Sequence, residues 1–83
     1  MPEPQASKMT MNDVIGSAQT ELFQRELIYR DLQMGTDAGD EGVIVGISVI
    51  LEFENGEATI QGFGKTPTEA LKNFFEALNA STG

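Results

Sequence analysis

Between Val43 and Leu78 the spacing of apolar positions changes from a period of two to a helical period. Val43, Val45, Ile47, Val49, Leu51 and Phe53 alternate with their neighbours, which puts them on one face of a β-strand. Asn55-Gly56 then interrupts the run, and this dipeptide tolerates the two positive-φ positions of a type I′ hairpin turn. A turn centred there pairs Phe53 with Ala58, Leu51 with Ile60 and Val49 with Gly62, and it sets Glu54 opposite Glu57. Ala58 and Ile60 then share the face of Val49 and Leu51. The opposite face carries Ser48, Glu52, Thr59 and Gln61, with Ile44, Ile50 and Phe63 as apolar exceptions, so partial exposure is expected there.

Thr66-Pro67-Thr68-Glu69 opens a helix: Thr66 can cap it, Pro67 has the φ wanted at the first helical position, and Glu69 can close a capping box. Ala70, Leu71, Phe74, Phe75 and Leu78 follow at helical spacing and form a stripe wide enough to cover the hairpin. Nearer the N-terminus, Thr10-Met11-Asn12-Asp13 forms a second cap, followed by the stripe Met11, Val14, Ile15, Ala18 and Leu22. Past Phe23 that period fails. Leu27, Ile28, Tyr29 and Leu32 scatter around a helical wheel, so Glu26 to Met34 reads as a third strand in preference to more helix, and Gly35 to Gly42 as the loop after it. Residues 1–9 read as a disordered polar tail and 10–80 as a single domain. The expected fold is α+β: a small antiparallel sheet of two or three strands, with a helix before and a helix after it packed on one face.

Charge changes the picture more than composition does. Thirteen acidic residues against five basic ones give a net charge of −8. That repels a nucleic-acid backbone, so no direct binding to nucleic acid is expected. A protein partner with a basic surface is the sharper expectation, beside the plain one that acidity keeps the chain soluble. The carboxylates of Asp37, Asp40 and Glu41 in the loop, and of Glu52, Glu54 and Glu57 around the hairpin, are the candidate contacts. Ile44, Ile50 and Phe63 offer a rival, apolar contact for a partner or for a second copy. A chain of 83 residues buries a small core, so a homodimer would add stability. No secretory signal or membrane-spanning run is apparent, and the expected compartment is the cytoplasm.

Enzyme chemistry finds few of its usual groups. The sequence has neither histidine nor cysteine, which removes the common general base, the thiolate nucleophile and the usual zinc ligands. Asp37, Asp40 and Glu41 miss the spacing of a calcium-binding loop. Gly62-Phe63-Gly64-Lys65-Thr66 ends like a phosphate-binding loop, but Thr59 stands where its first glycine belongs and Pro67 removes a backbone donor. No catalytic residue, metal or cofactor is expected.

Two family resemblances meet at the junction of the last strand and helix. Gly62, Gly64, Thr66 and Ala70 match the G-x-G-x-S-K-K-x-A-K pattern of double-stranded-RNA-binding domains, while Pro67, Thr68 and Leu71 replace the phosphate-binding lysines. That resemblance implies the order helix, three strands, helix, without the RNA binding. The run from Gly64 to Asn73, with Glu76-Ala77-Leu78, is similar to the G-x-T-x-x-E-A-L-x-N…E-A-L signature of HicB-like antitoxins and implies an antitoxin or regulatory subunit. In size and charge the chain also resembles small acidic accessory and inhibitor proteins of phages, among them nucleic-acid mimics and anti-defence proteins. The leading expectation is therefore a small, non-enzymatic, protein-binding module of phage-inhibitor type, acting on a nucleic-acid-handling or defence protein in a bacterial or phage-infected cell.

Overall fold

The computed structural model describes residues 10–40 and 42–82, so the expected tail at 1–9 and Glu41 lie outside the described residues. Helix α1 (Met11–Gln24) is followed by strands β1 (Ile28–Gly39), β2 (Gly42–Phe53) and β3 (Gly56–Gly64), then helix α2 (Pro67–Thr82). The three strands form an antiparallel meander in the order β1-β2-β3. The fold is α+β, with a helix before and a helix after the sheet. Its element order is the one a double-stranded-RNA-binding resemblance implies, an order that folds of many functions can share.

Both helices start on side-chain caps. Thr10 Oγ1 accepts from the Asp13 amide and Asp13 Oδ2 from the Thr10 amide, each at 3.1 Å. Ahead of α2, Thr66 Oγ1 accepts from the Glu69 amide at 3.1 Å, while the Glu69 carboxylate reaches back past the cap to the Lys65 amide at 2.7 Å. At the other end of α1, Glu26 takes a left-handed φ of 58°. Its amide then donates to the Phe23 carbonyl and that of Leu27 to the Leu22 carbonyl, the paired closure of a Schellman motif.

One core fills the space between sheet and helices. Val45, Ile47, Val49 and Leu51 of β2 and Ile60 of β3 meet Val14, Ala18 and Leu22 of α1 and Ala70, Leu71, Phe74 and Leu78 of α2, all buried. Residues of both helices thus cover the same face of β2. The approach of α2 to β3 is close because Gly62 and Gly64 lie beneath it. A Cβ built on Gly62 would run into the Phe74 backbone and stand 2.6 Å from the Ala70 carbonyl oxygen; one on Gly64 would stand 2.7 Å from the Ala70 nitrogen. Both distances are shorter than real Cβ contacts, so glycine is required at each position for α2 to sit where it does.

Three sequence expectations are corrected. The β2–β3 turn lies at Glu54-Asn55, not Asn55-Gly56; Phe53 pairs with Gly56, and Gly56 takes the positive φ of 149°. The pairing consequently shifts by two residues: Leu51 faces Ala58, Val49 faces Ile60, Ile47 faces Gly62, and it is Glu52, not Glu54, that faces Glu57. A shift of two leaves every side chain on its expected face. Third, β1 begins at Ile28 and runs on to Gly39, so most of the expected Gly35–Gly42 loop is strand, with Asp37 paired to Ile44. Val43 and Phe53, at the ends of the expected inner row, are 52% and 43% exposed because the helices do not extend over them.

Candidate functional site

Antiparallel partners point to the same side of a sheet, so the register defines what the uncovered face presents. From β1 it receives Ile28, Arg30, Gln33, Gly35 and Asp37; from β2, Glu52, Ile50, Ser48, Gly46 and Ile44; from β3, Glu57, Thr59, Gln61 and Phe63. Ile44 and Phe63 are 39% and 54% exposed, and Ile50 is half-buried. The expected apolar trio does share this face, although Ile50 stands apart from the other two.

At one end of the face Arg30 organises the charge. Its guanidinium donates to Glu52 at 2.7 Å, to Glu57 at 2.6 Å and to Asp31 at 3.1 Å, so one side chain reaches all the way across β2 to β3. Glu52 and Glu57 face each other across the β2–β3 ladder, a like-charge pair that Arg30 offsets. The arginine pKa is raised above its ordinary value, first by the hydrogen bond and charge of Glu57 and then by Glu52. Arg30 is therefore cationic at any pH the fold meets. Its register comes from a bulge: Arg30 pairs with Ile50 and Gln33 with Ser48, leaving Asp31 and Leu32 together opposite Val49, with Asp31 at a φ of 56°. Glu54 sits in the adjacent turn, and Glu52, Phe53 and Glu54 join Glu26, Leu27 and Ile28 around a hollow of about 430 Å³.

At the other end lies a groove of about 350 Å³, lined by Gly35, Thr36, Asp37, Ile44, Gly46 and Phe63. Gly35 faces Gly46 across the β1–β2 ladder, so neither strand contributes a side chain of its own to the floor. The Phe63 ring leans over Gly46, where a Cβ would meet its Cδ1 and Cε1 at 3.0 Å. Among the described residues nothing lies within 4 Å of a Cβ built on Gly35. The Asp37 side chain, opposite Ile44, makes no hydrogen bond or ion pair with a described residue. Asp40 is exposed in the turn beyond.

The expected carboxylates thus fall into two sets. Glu52 and Glu57 meet through Arg30 with Glu54 nearby, whereas Asp37 stands eight ladder positions away, roughly 26 Å along the strands. Arg30, Gly35, Gly46, Ile28, Phe53 and Glu26 were not singled out from the sequence, and only the pairing register reveals them. Among the described residues no three acidic side chains converge as a metal site would require, and no helix is long and apolar enough to cross a membrane. No protein-family model, curated protein or solved structure matches the chain.

Proposed function

We propose that the protein is a non-enzymatic binding module whose uncovered sheet face docks on a basic surface of a partner protein. The observation that carries this reading is the face itself: Ile44 and Phe63 stay exposed at one end, carboxylates stand at both ends, and the chain bears a charge of −8. Apolar side chains at the centre of a contact supply affinity by leaving water, while charges around them steer the approach and select the partner's sign. A partner that handles nucleic acid presents the required positive surface, which supports an inhibitor of such a protein, of the phage accessory kind. The same charge opposes direct binding to nucleic acid.

Residue-by-residue imitation of phosphates has less support than the mixed face. Arg30 binds Glu52, Glu57 and Asp31, so a cation is interleaved with the carboxylates and lowers the charge of the cluster from −3 to −2. The antitoxin reading has less support still. Thr66 and Glu69 of that signature cap α2, and Gly64 lets Ala70 approach, demands that any sheet with a close-packed following helix would make.

Capture from bacterial lysate, with bound proteins identified by mass spectrometry, tests the proposal in three versions of the chain: wild type, Phe63→Asp on the uncovered face, and Glu76→Gln on the exposed side of α2. A partner with a basic surface that is retained by wild type and Glu76→Gln but lost by Phe63→Asp is expected. Retention by Phe63→Asp of everything the wild type holds would overturn it.

A further inference from the structure

Of the hollows around the sheet, the groove over Gly35 and Gly46 combines features that select one kind of occupant. Its floor is open backbone at Gly35, while the Phe63 ring leans over Gly46 across the ladder. Its walls are Ile44 and the Phe63 ring, and Asp37 stands at the rim with no partner of its own among the described residues. A long flexible stem could lie along Ile44 and Phe63, and a cation at its end would reach the carboxylate and the aromatic face together. We infer that this groove receives a single arginine or lysine side chain from the partner protein, its aliphatic stem on Ile44 and Phe63 and its cationic head at Asp37. The inference rests on the proposed docking to a basic partner and adds which part of the face reads a basic residue.

Physical chemistry favours this occupant over the two nearest rivals. A purely apolar side chain would cover Asp37 and strip water from a carboxylate that gains nothing in return. A second copy of the chain would bring another net charge of −8 to the same face. Arginine and lysine, by contrast, bury their methylenes while keeping the head hydrated, and a cation over an aromatic ring adds attraction. Arginine has the further advantage of a planar head that can stack on Phe63 while donating to Asp37.

The glycine floor supplies a test that leaves the fold alone. Because nothing lies within 4 Å of a Cβ on Gly35 among the described residues, Gly35→Val starts into open space and narrows the groove, and valine favours a strand. The experiment is an NMR titration of the full chain with the peptide acetyl-Gly-Arg-Gly-amide and with its citrulline counterpart, which keeps the shape and loses the charge. The arginine peptide is expected to shift the amides of Gly35, Asp37 and Gly46 and the ring of Phe63, and to bind roughly threefold to tenfold more tightly than citrulline. Asp37→Asn should remove the preference, and Gly35→Val should remove binding while the remaining spectrum stays folded. An arginine preference with its shifts around Ile28 and Phe53 instead would overturn the groove and leave basic-partner docking standing. Equal response to the two peptides, or none, would overturn both; shifts that depend on protein concentration alone would assign the groove to a second copy and overturn the inference.

Discussion

The two faces of the sheet are built from alternate residues of the same strands and follow different rules. On the covered face Val45, Ile47, Val49, Leu51 and Ile60 are at most 4% exposed, and two glycines let α2 lie almost on the backbone of β3. On the uncovered face Ile44 and Phe63 remain in water, two glycines open a groove, and Arg30 holds a pair of like charges together. Glycine serves both faces, by opposite means. At Gly62 the absent side chain is replaced by helix, and at Gly35 by empty space. Substitution on the covered face should therefore be felt as lost stability, and on the uncovered face as lost binding.

The largest effect that could break this contrast is expected at Gly62. Gly62→Val places two methyl groups into the backbone of α2 and should leave the chain unfolded at 25 °C by circular dichroism; a native spectrum with little change in melting temperature would show that α2 does not sit as described. Phe74→Ala, fully buried, should cost roughly 3–5 kcal/mol in chemical denaturation. The whole domain has a stability of only about 4–12 kcal/mol at typical values per residue. Phe63→Asp, by contrast, should change stability by less than about 1 kcal/mol. A loss comparable with that of Phe74→Ala would erase the distinction between the faces.

Smaller effects sharpen the picture. Glu26 adopts a left-handed conformation that glycine adopts without strain, so Glu26→Gly should raise stability by about 0.5–1 kcal/mol, read from the shift of the denaturation midpoint. Arg30→Ala releases the repulsion between Glu52 and Glu57 and should lower the melting temperature slightly, with the difference shrinking as salt is added. The sign of its pH dependence follows from the raised arginine pKa: the contribution is complete below the group's ordinary value and disappears only as pH climbs through the raised one. Arg30 should accordingly contribute no pH dependence to stability near neutrality, which melting curves across that range would check.

What could be read from the sequence follows the same division. The alternation of β2 and the capped stripe of α2 identified the covered face, because burial imposes a period and a cap imposes residue types. The hairpin register differs by two residues from the one the Asn55-Gly56 dipeptide predicts, and hydrophobic pattern cannot detect such a slip since it keeps each residue on its face. One determinant is nonlocal, since Gly62 must lie under Phe74; the other is the positive φ, which Gly56 takes just after the turn. For β1 the obstacle was the bulge at Asp31 and Leu32. It brings Tyr29, Leu32 and Met34 toward the core at spacings that fit neither a simple strand nor a helix. Thr36 to Gly39 have a loop's composition and become strand because β2 offers them a backbone to pair with. The groove was the least legible feature, since it is made by side chains that are absent and appears only once Gly35, Gly46 and Phe63 are brought side by side.

The most direct test of the central claim, that the uncovered face is a charge-steered docking surface, is the association rate with the captured partner at low and high salt. It should be measured for wild type and for a variant carrying Asp37→Asn, Glu52→Gln, Glu54→Gln and Glu57→Gln. The account predicts a wild-type rate that falls steeply as salt rises, and a variant that stays folded, associates more slowly at low salt and responds much less to salt. Rates indifferent both to salt and to these four carboxylates would contradict it.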